Sequence, residues 1–153
     1  MNEPPRPQLA TLFPEAYGHL IALHRTIQQG ATDAGLDQKL IELVKIRASQ
    51  INGCAFCTDM HCTDARRHGE SERRIFCLPV WRETTMFSAA ERAALELTEA
   101  MTLLPETQDV SDEVYEQARA AFDERQYAVV AWAITAINAF NRLGVTGRKP
   151  LPE

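Results

Sequence analysis

Apolar residues recur every three or four positions over long stretches of the chain, and nowhere do they alternate in the two-residue rhythm of a strand. The punctuation between those stretches fits helix ends. Pro14 suits a first helical position, and the stretch it opens runs to Gln29, with Gly30 as a stop. Asp37 can cap a second helix, "QKLIELVKIRASQI", ended by Asn52 and Gly53. A third is expected from about Cys54 to Gly69, and a fourth, capped by Ser71, to about Trp81. Ser88 and Glu91 make a capping-box pattern for a fifth helix, which reaches about Leu104 before Pro105 ends it. Ser111 caps a sixth, with Asp112 and Glu113 suited to the positive end of its dipole. Asp123 and Gln126 offer a second capping box, and the last helix runs to Leu143 with Gly144 as its stop. The pattern predicts an all-α chain: one domain over residues 1–153, a compact bundle of about six or seven helices. The prolines near the start give it an extended arm over residues 1–12. The last helix is apolar on nearly every side, so it is expected to be buried all round, either in part by a second subunit or as the central helix of a monomeric bundle, between which periodicity does not choose.

Composition narrows the functional classes. At 153 residues the chain can bury a core without staples. A net charge of −5 with no basic run disfavours nucleic acid as a partner. The N-terminal stretch has no apolar signal-like segment, and the longest uninterrupted apolar run, Ala128 to Ile134, is too short for a bilayer. A cytoplasmic protein with no membrane partner is expected, and there a close cysteine pair is more often catalytic or metal-binding than a structural disulfide.

The chemistry is concentrated in "INGCAFCTDMHC", which holds three of the four cysteines and one of the four histidines. On a helical wheel with Cys54 at the origin, Cys57 falls at about 300°, His61 at about 340° and His68 at about 320°, while Cys62 points away at about 80°. If the helix starts near Cys54, both thiols lie in its first turn, where unsatisfied N–H groups and the dipole favour a thiolate. The two-residue gap suits a disulfide, and His61, one turn beyond Cys57, can exchange a proton with it. Three readings compete. Zinc would use Cys54, Cys57, His61 and Cys62, but tetrahedral sites usually draw on two separated pairs, and Cys77 is alone. Small buried apolar cysteines suit Cys62 and Cys77. A redox pair accounts best for Cys54 and Cys57 with a histidine on their face.

The run "ELVKIRASQINGCAFCTDMH", with Glu42, Cys54, Cys57 and His61 in fixed spacing, resembles the alkylhydroperoxidase D-like branch of the carboxymuconolactone decarboxylase family. The resemblance implies an all-helical homo-oligomer, a trimer or hexamer, that reduces hydroperoxides without cofactor or metal. It implies that Cys57 is the peroxidatic thiol, that Cys54 resolves its sulfenic acid into a disulfide and serves as proton donor, and that Glu42 and His61 form a proton relay. An external dithiol, in well-known members a lipoyl domain, would restore the pair. A thiol–disulfide oxidoreductase or a non-catalytic redox sensor would use the same residues. The best-known peroxidases of the family carry a histidine just before the second cysteine, where this chain has Phe56. The decarboxylase branch lacks the cysteine pair.

Other polar residues read differently on their own. Periodicity alone makes Glu42 a solvated glutamate pairing with Lys39 or Lys45; buried beside thiols, it would have a raised pKa and accept a proton near neutral pH. Arg47 falls inside the apolar arc of its helix and needs a carboxylate or carbonyl partner. Asp64 could orient His61, although an exposed carboxylate is the plainer expectation. His68 closes its helix near Gly69, and His19 and His24 read as surface or interface residues.

Overall fold

A computed structural model describes residues 4–152, all of its regular elements helical. They are α1 (Leu9–Leu12), α2 (Pro14–Asp33), α3 (Gln38–Asn52), α4 (Ala55–Arg67), α5 (Glu72–Cys77), a 3₁₀ segment (Leu78–Glu83), α6 (Ala89–Thr102), α7 (Leu104–Thr107), α8 (Asp112–Ala121) and α9 (Glu124–Thr146). The predicted caps form. Asp37 accepts from the Lys39 amide, Ser71 from Arg74, and Ser111 from Val114. Both capping boxes close in both directions, Ser88 with Glu91 and Asp123 with Gln126. Gly53 ends α3 at φ 70°, a left-handed conformation that favours glycine.

α3 is the axis of the bundle. Its chief neighbours are α4, α9 and α6, and every residue from Leu40 to Ile46 is buried. One core joins Ile41 and Val44 to Leu97 on α6 and to Val130 and Ile134 on α9. A second joins Leu43 and Ile46 to Leu78, Trp81 and Leu95. Arg47, beside these cores, finds its partner on α6: Nε donates to Glu99 Oε1 at 2.8 Å. Trp81 Nε1 and Arg82 Nη1 donate to the same carboxylate at 2.9 and 2.6 Å. Burial would raise the Glu99 pKa, but these donors lower it.

Several boundaries depart from the periodic reading, each for a local reason. α2 continues through Gly30 to Asp33, and the chain turns at Gly35 (φ 69°) instead. Gly30 is a packing glycine: a Cβ there would lie 3.4 Å from a Val129 methyl on α9. Gly144 likewise does not stop α9, which runs to Thr146. Pro79 falls where the fourth helix tightens from α to 3₁₀ after Cys77. Pro105 does not only terminate; it sits in the first turn of the short helix α7, where its missing N–H costs nothing. Within the expected arm, residues 1–3 lie outside the described residues, and Leu9–Leu12 form a helical turn rather than an extended strand. Gln8 Nε2 donates to the Gly147 carbonyl at 2.8 Å and Arg6 Nη1 to the Thr146 carbonyl at 3.1 Å, tying the two chain ends together.

α9 is not buried all round. Trp132 is 54% exposed, and Thr135 and Arg142 continue that outward face. By length and hydropathy α9 is sufficient to cross a bilayer, unlike the short run judged from sequence, yet here its other face packs on α2, α3 and α6. Truncating Glu99 to alanine leaves Arg47 Nε and the buried Trp81 indole N–H without their acceptor, while Arg82 keeps Glu96, so urea unfolding of Glu99→Ala should show a loss of about 2 kcal/mol; a change within about 0.5 kcal/mol would mean that the cluster is solvated and dispensable.

Candidate active site

The start of α4 places the cysteine pair. Cys54 is the N-cap, extended at φ −88° and ψ 96°, and its Sγ accepts from the Cys57 amide at 3.4 Å. Cys57 and His61 follow on the buried face of α4, with Ala65 a turn beyond. Both cysteines are reduced and buried. Cys57, but not Cys54, lines a cavity of about 400 Å³ between α2, α4 and α9. Ile21, Ala133, Ile137 and Phe140 give it mostly apolar walls, and Leu9 and Thr11 of the N-terminal turn close one side.

Glu42 and Lys45, which alone read as a solvated face of α3, are 2% and 3% exposed because α4 covers them. Lys45 Nζ donates to Glu42 Oε1 at 2.9 Å, and His61 Nδ1 lies 2.8 Å from Glu42 Oε2. Burial pushes the Glu42 pKa up, but the His61 hydrogen bond and the Lys45 charge outweigh it and hold the group at about 2. The expected raised pKa is therefore corrected. Glu42 is a permanent carboxylate, so His61 carries its proton on Nδ1 and leaves Nε2 as the free acceptor. This carboxylate orients an imidazole and does not itself take up protons at neutral pH.

The thiol follows the opposite logic. Burial, then the neighbouring Cys54 sulfur, push Cys57 up to about 12, against smaller opposing effects of Asn141 and Lys149. The position at a helix start therefore does not by itself make Cys57 a ready thiolate, because burial raises the thiol. Its proton needs a base, and His61 lines the same cavity.

α9 closes the back of the site. A Cβ on Gly144 would stand 2.8 Å from Cys54 Sγ and 3.8 Å from Cys57 Sγ, so only glycine lets this helix pass so near both sulfurs. One turn earlier, fully buried Asn141 donates to Ser49 Oγ at 2.9 Å and accepts from Asn52 at 3.0 Å. Asn138 accepts from Asn52 at 2.9 Å and donates to Thr102 at 3.1 Å. This ladder sets the height of α9 against α3.

Other expected residues take varied places. His24 is not a surface residue. It lines the cavity with its ring edge-on to Phe140 at 6.0 Å, and burial, then the Lys45 and His61 charges, lower its pKa to about 4. His19 and His68 are exposed. Asp64 is half-buried and paired with Arg67 at 2.9 Å. Cys62 packs beside Leu43 and Ile46 in the second core, and burial pushes its thiol up. Among the described residues the sulfurs and His61 do not converge as zinc ligands; the one group close enough to share an ion is Glu42, His61 and Asp64. Both Glu42 oxygens there are already engaged, by Lys45 and His61. Asn141, Gly144, His24 and Lys149 escaped the sequence reading. The two asparagines interrupting "AITAINAFNRLG", with Gly144 three residues after Asn141, were the available signal.

The all-helical bundle, with Cys57 and His61 lining one cavity, falls in a known class of protein by its sequence and its fold. Residues 14–100 match the model of the carboxymuconolactone decarboxylase family, to which the chain belongs, in its AhpD-like branch. An uncharacterized protein of Bacillus subtilis, YdfG, is 51% identical over 68% of this chain and 70% of its own length. The uncharacterized Escherichia coli protein YnjA is 33% identical over 58% of this chain and 47% of its own. Among solved structures, a protein of unknown function from Agrobacterium tumefaciens, provisionally named antioxidant defence protein AhpD, superposes with a TM-score of 0.89 at 39% identity. That match covers 98% of this chain and 99% of the other. The debrominase Bmp8 shares the fold at 18% identity, with a TM-score of 0.77 over 91% of this chain and 72% of its own.

Two outcomes check this geometry. Gly144→Ala should lower stability by about 1–3 kcal/mol through overpacking against Cys54, read by urea unfolding; an unchanged midpoint would mean that α9 does not approach the sulfurs so closely. The depressed Glu42 pKa makes a stability contribution present above its ordinary value of 4.5 and lost as pH falls toward about 2. Glu42→Gln should flatten the stability–pH profile across that window.

Proposed function

We propose that the protein is a cysteine-pair thiol peroxidase acting on hydrogen peroxide or organic hydroperoxides. The observation that carries this reading is the Cys57 sulfur in the wall of an apolar cavity that also holds His61, whose other nitrogen is fixed by a buried carboxylate. Cys57 gives its proton to His61 Nε2, directly or through water, and the thiolate attacks the distal peroxide oxygen. The O–O bond breaks, the alcohol leaves with a proton from His61, and Cys57 becomes a sulfenic acid. Cys54, whose Sγ already accepts from the Cys57 amide, attacks that sulfur; a disulfide forms and water departs. An external dithiol of the lipoyl type reduces the disulfide by exchange, leaving as its own disulfide and returning both thiols. Cys57 is the attacking residue because it faces the cavity, while Cys54 lies behind it against Gly144.

No metal or cofactor enters these steps, and the substrate and donor come from outside. The reading extends to a homo-oligomer, a trimer or hexamer, working in a reducing compartment such as the cytoplasm. A redox sensor or thiol–disulfide oxidoreductase on the same pair is the second reading; burial, which pushes the Cys57 thiol up to about 12, slows the sulfur in any of these roles at neutral pH.

Peroxide consumption with excess dithiol separates the two. Many equivalents consumed per subunit indicate turnover, and a single equivalent indicates the sensor. Cys57→Ser should reduce consumption to the uncatalysed background, and Cys54→Ser should leave a sulfenic acid on Cys57 that a dimedone-type reagent traps. Full activity in Cys57→Ser would overturn the assignment.

A further inference from the structure

Phe56 immediately precedes the proposed attacking cysteine, and what rests on its ring is a cation. Lys149 Nζ lies 3.8 Å from the Phe56 ring centroid, well inside cation–π range. The lysine comes from the far end of the chain. After α9 the backbone turns back through Arg148, at φ 46°, and the Lys149 amide donates to the Gly144 carbonyl at 2.9 Å. That carbonyl belongs to the glycine packed on the two sulfurs. The Gln8 bond to Gly147 pins the same turn from the N-terminal side. Lys149, Phe56 and Cys57 line one cavity.

We propose that Lys149, seated on the Phe56 ring, is a positioning residue that supplies the positive charge favouring the Cys57 thiolate. The inference builds on the assignment of Cys57 as the attacking thiol. Other charges near Cys57 are less available. Lys45 on α3 is neutralised by Glu42 at 2.9 Å. His24 on α2 is held neutral, since burial and then the Lys45 charge lower its pKa to about 4. His61 on α4 must be neutral to accept the thiol proton. Cys54 contributes no positive charge, and its sulfur opposes ionisation of Cys57. No carboxylate among the described residues forms an ion pair with Lys149, so its charge is free to act on the sulfur. The ammonium and the sulfur face the same cavity, and the lysine charge works in the direction opposite to burial. On this view Phe56 is a seat for a charge that comes from the far end of the chain. The ring face holds the ammonium, and the turn after α9 fixes its reach.

The test reads the thiol and not the enzyme. In fully reduced protein, alkylation of Cys57 by iodoacetamide is followed from pH 7 to 11 by mass-spectrometric mapping, with Cys62 in the same digest reporting intactness of the fold. Loss of one nearby charge shifts a thiol by roughly half to one pH unit, so Lys149→Gln should slow Cys57 alkylation at neutral pH about three- to tenfold and move its profile to higher pH. Phe56→Leu, which leaves the lysine but removes its seat, should shift the profile in the same direction. Lys149→Arg, which keeps the charge and the stacking, should restore most of the rate. A Lys149→Gln profile superimposable on the wild type would overturn the proposal, and so would an equal loss in Lys149→Arg, since packing and not charge would then be at work. Peroxide consumption on the same samples is a separate arm: a wild type without turnover would defeat the peroxidase reading and leave the alkylation result standing.

Discussion

A carboxylate almost without solvent contact persists between α3 and α4 because both of its oxygens are held, one by an ammonium and one by an imidazole. Removing such a group from water is costly unless it is paired and hydrogen-bonded, and here it is both. The arrangement constrains everything nearby. α3 must be enclosed on nearly all sides so that Glu42 and Lys45 stay dry, and α4 must start where it does so that His61 reaches back to α3. With Glu42 ionised throughout the neutral range, the imidazole has one defined tautomer and one free nitrogen.

The thiols depend on a second constraint, a helix passing close behind them. Gly144 brings α9 against the sulfurs, and the ladder from Thr102 through Asn138 and Asn52 to Asn141 and Ser49 fixes its height. Burial of the sulfur between α4 and α9, apart from the side that faces the cavity, is why Cys57 resists ionisation. The same packing keeps Cys54 Sγ at the Cys57 amide, where a resolving thiol is needed. Burial thus disfavours the resting thiolate, while the packing keeps the two cysteines adjacent at the start of α4.

Much of this was legible in the chain, and the remainder failed for identifiable reasons. Caps are local, so Asp37, Ser71, Ser88, Ser111 and Asp123 could be read directly. The Cys54, Cys57 and His61 stripe follows from the period of a single helix. Glu42 could be found only through spacing between elements, because the wheel of α3 cannot tell a solvated polar face from one covered by α4. Its pKa could not be anticipated at all, since its sign depends on which donors surround the oxygens. Gly30 and Gly144 illustrate an ambiguity in principle: a glycine after an apolar stretch signals either a stop or a close helix contact, and only the packing partner decides. His24 and Lys149 belong to the site through tertiary contact alone, with no pattern near them in sequence.

The central claim is that Cys57 and Cys54 form one redox unit served by the His61–Glu42 pair. Peptide mapping after a single equivalent of hydroperoxide, without reductant, tests it most directly. The account predicts one intramolecular Cys54–Cys57 disulfide, with Cys62 and Cys77 still free. A disulfide that links Cys57 to Cys62, to Cys77 or to a second chain, or oxidation confined to those two cysteines, would contradict it.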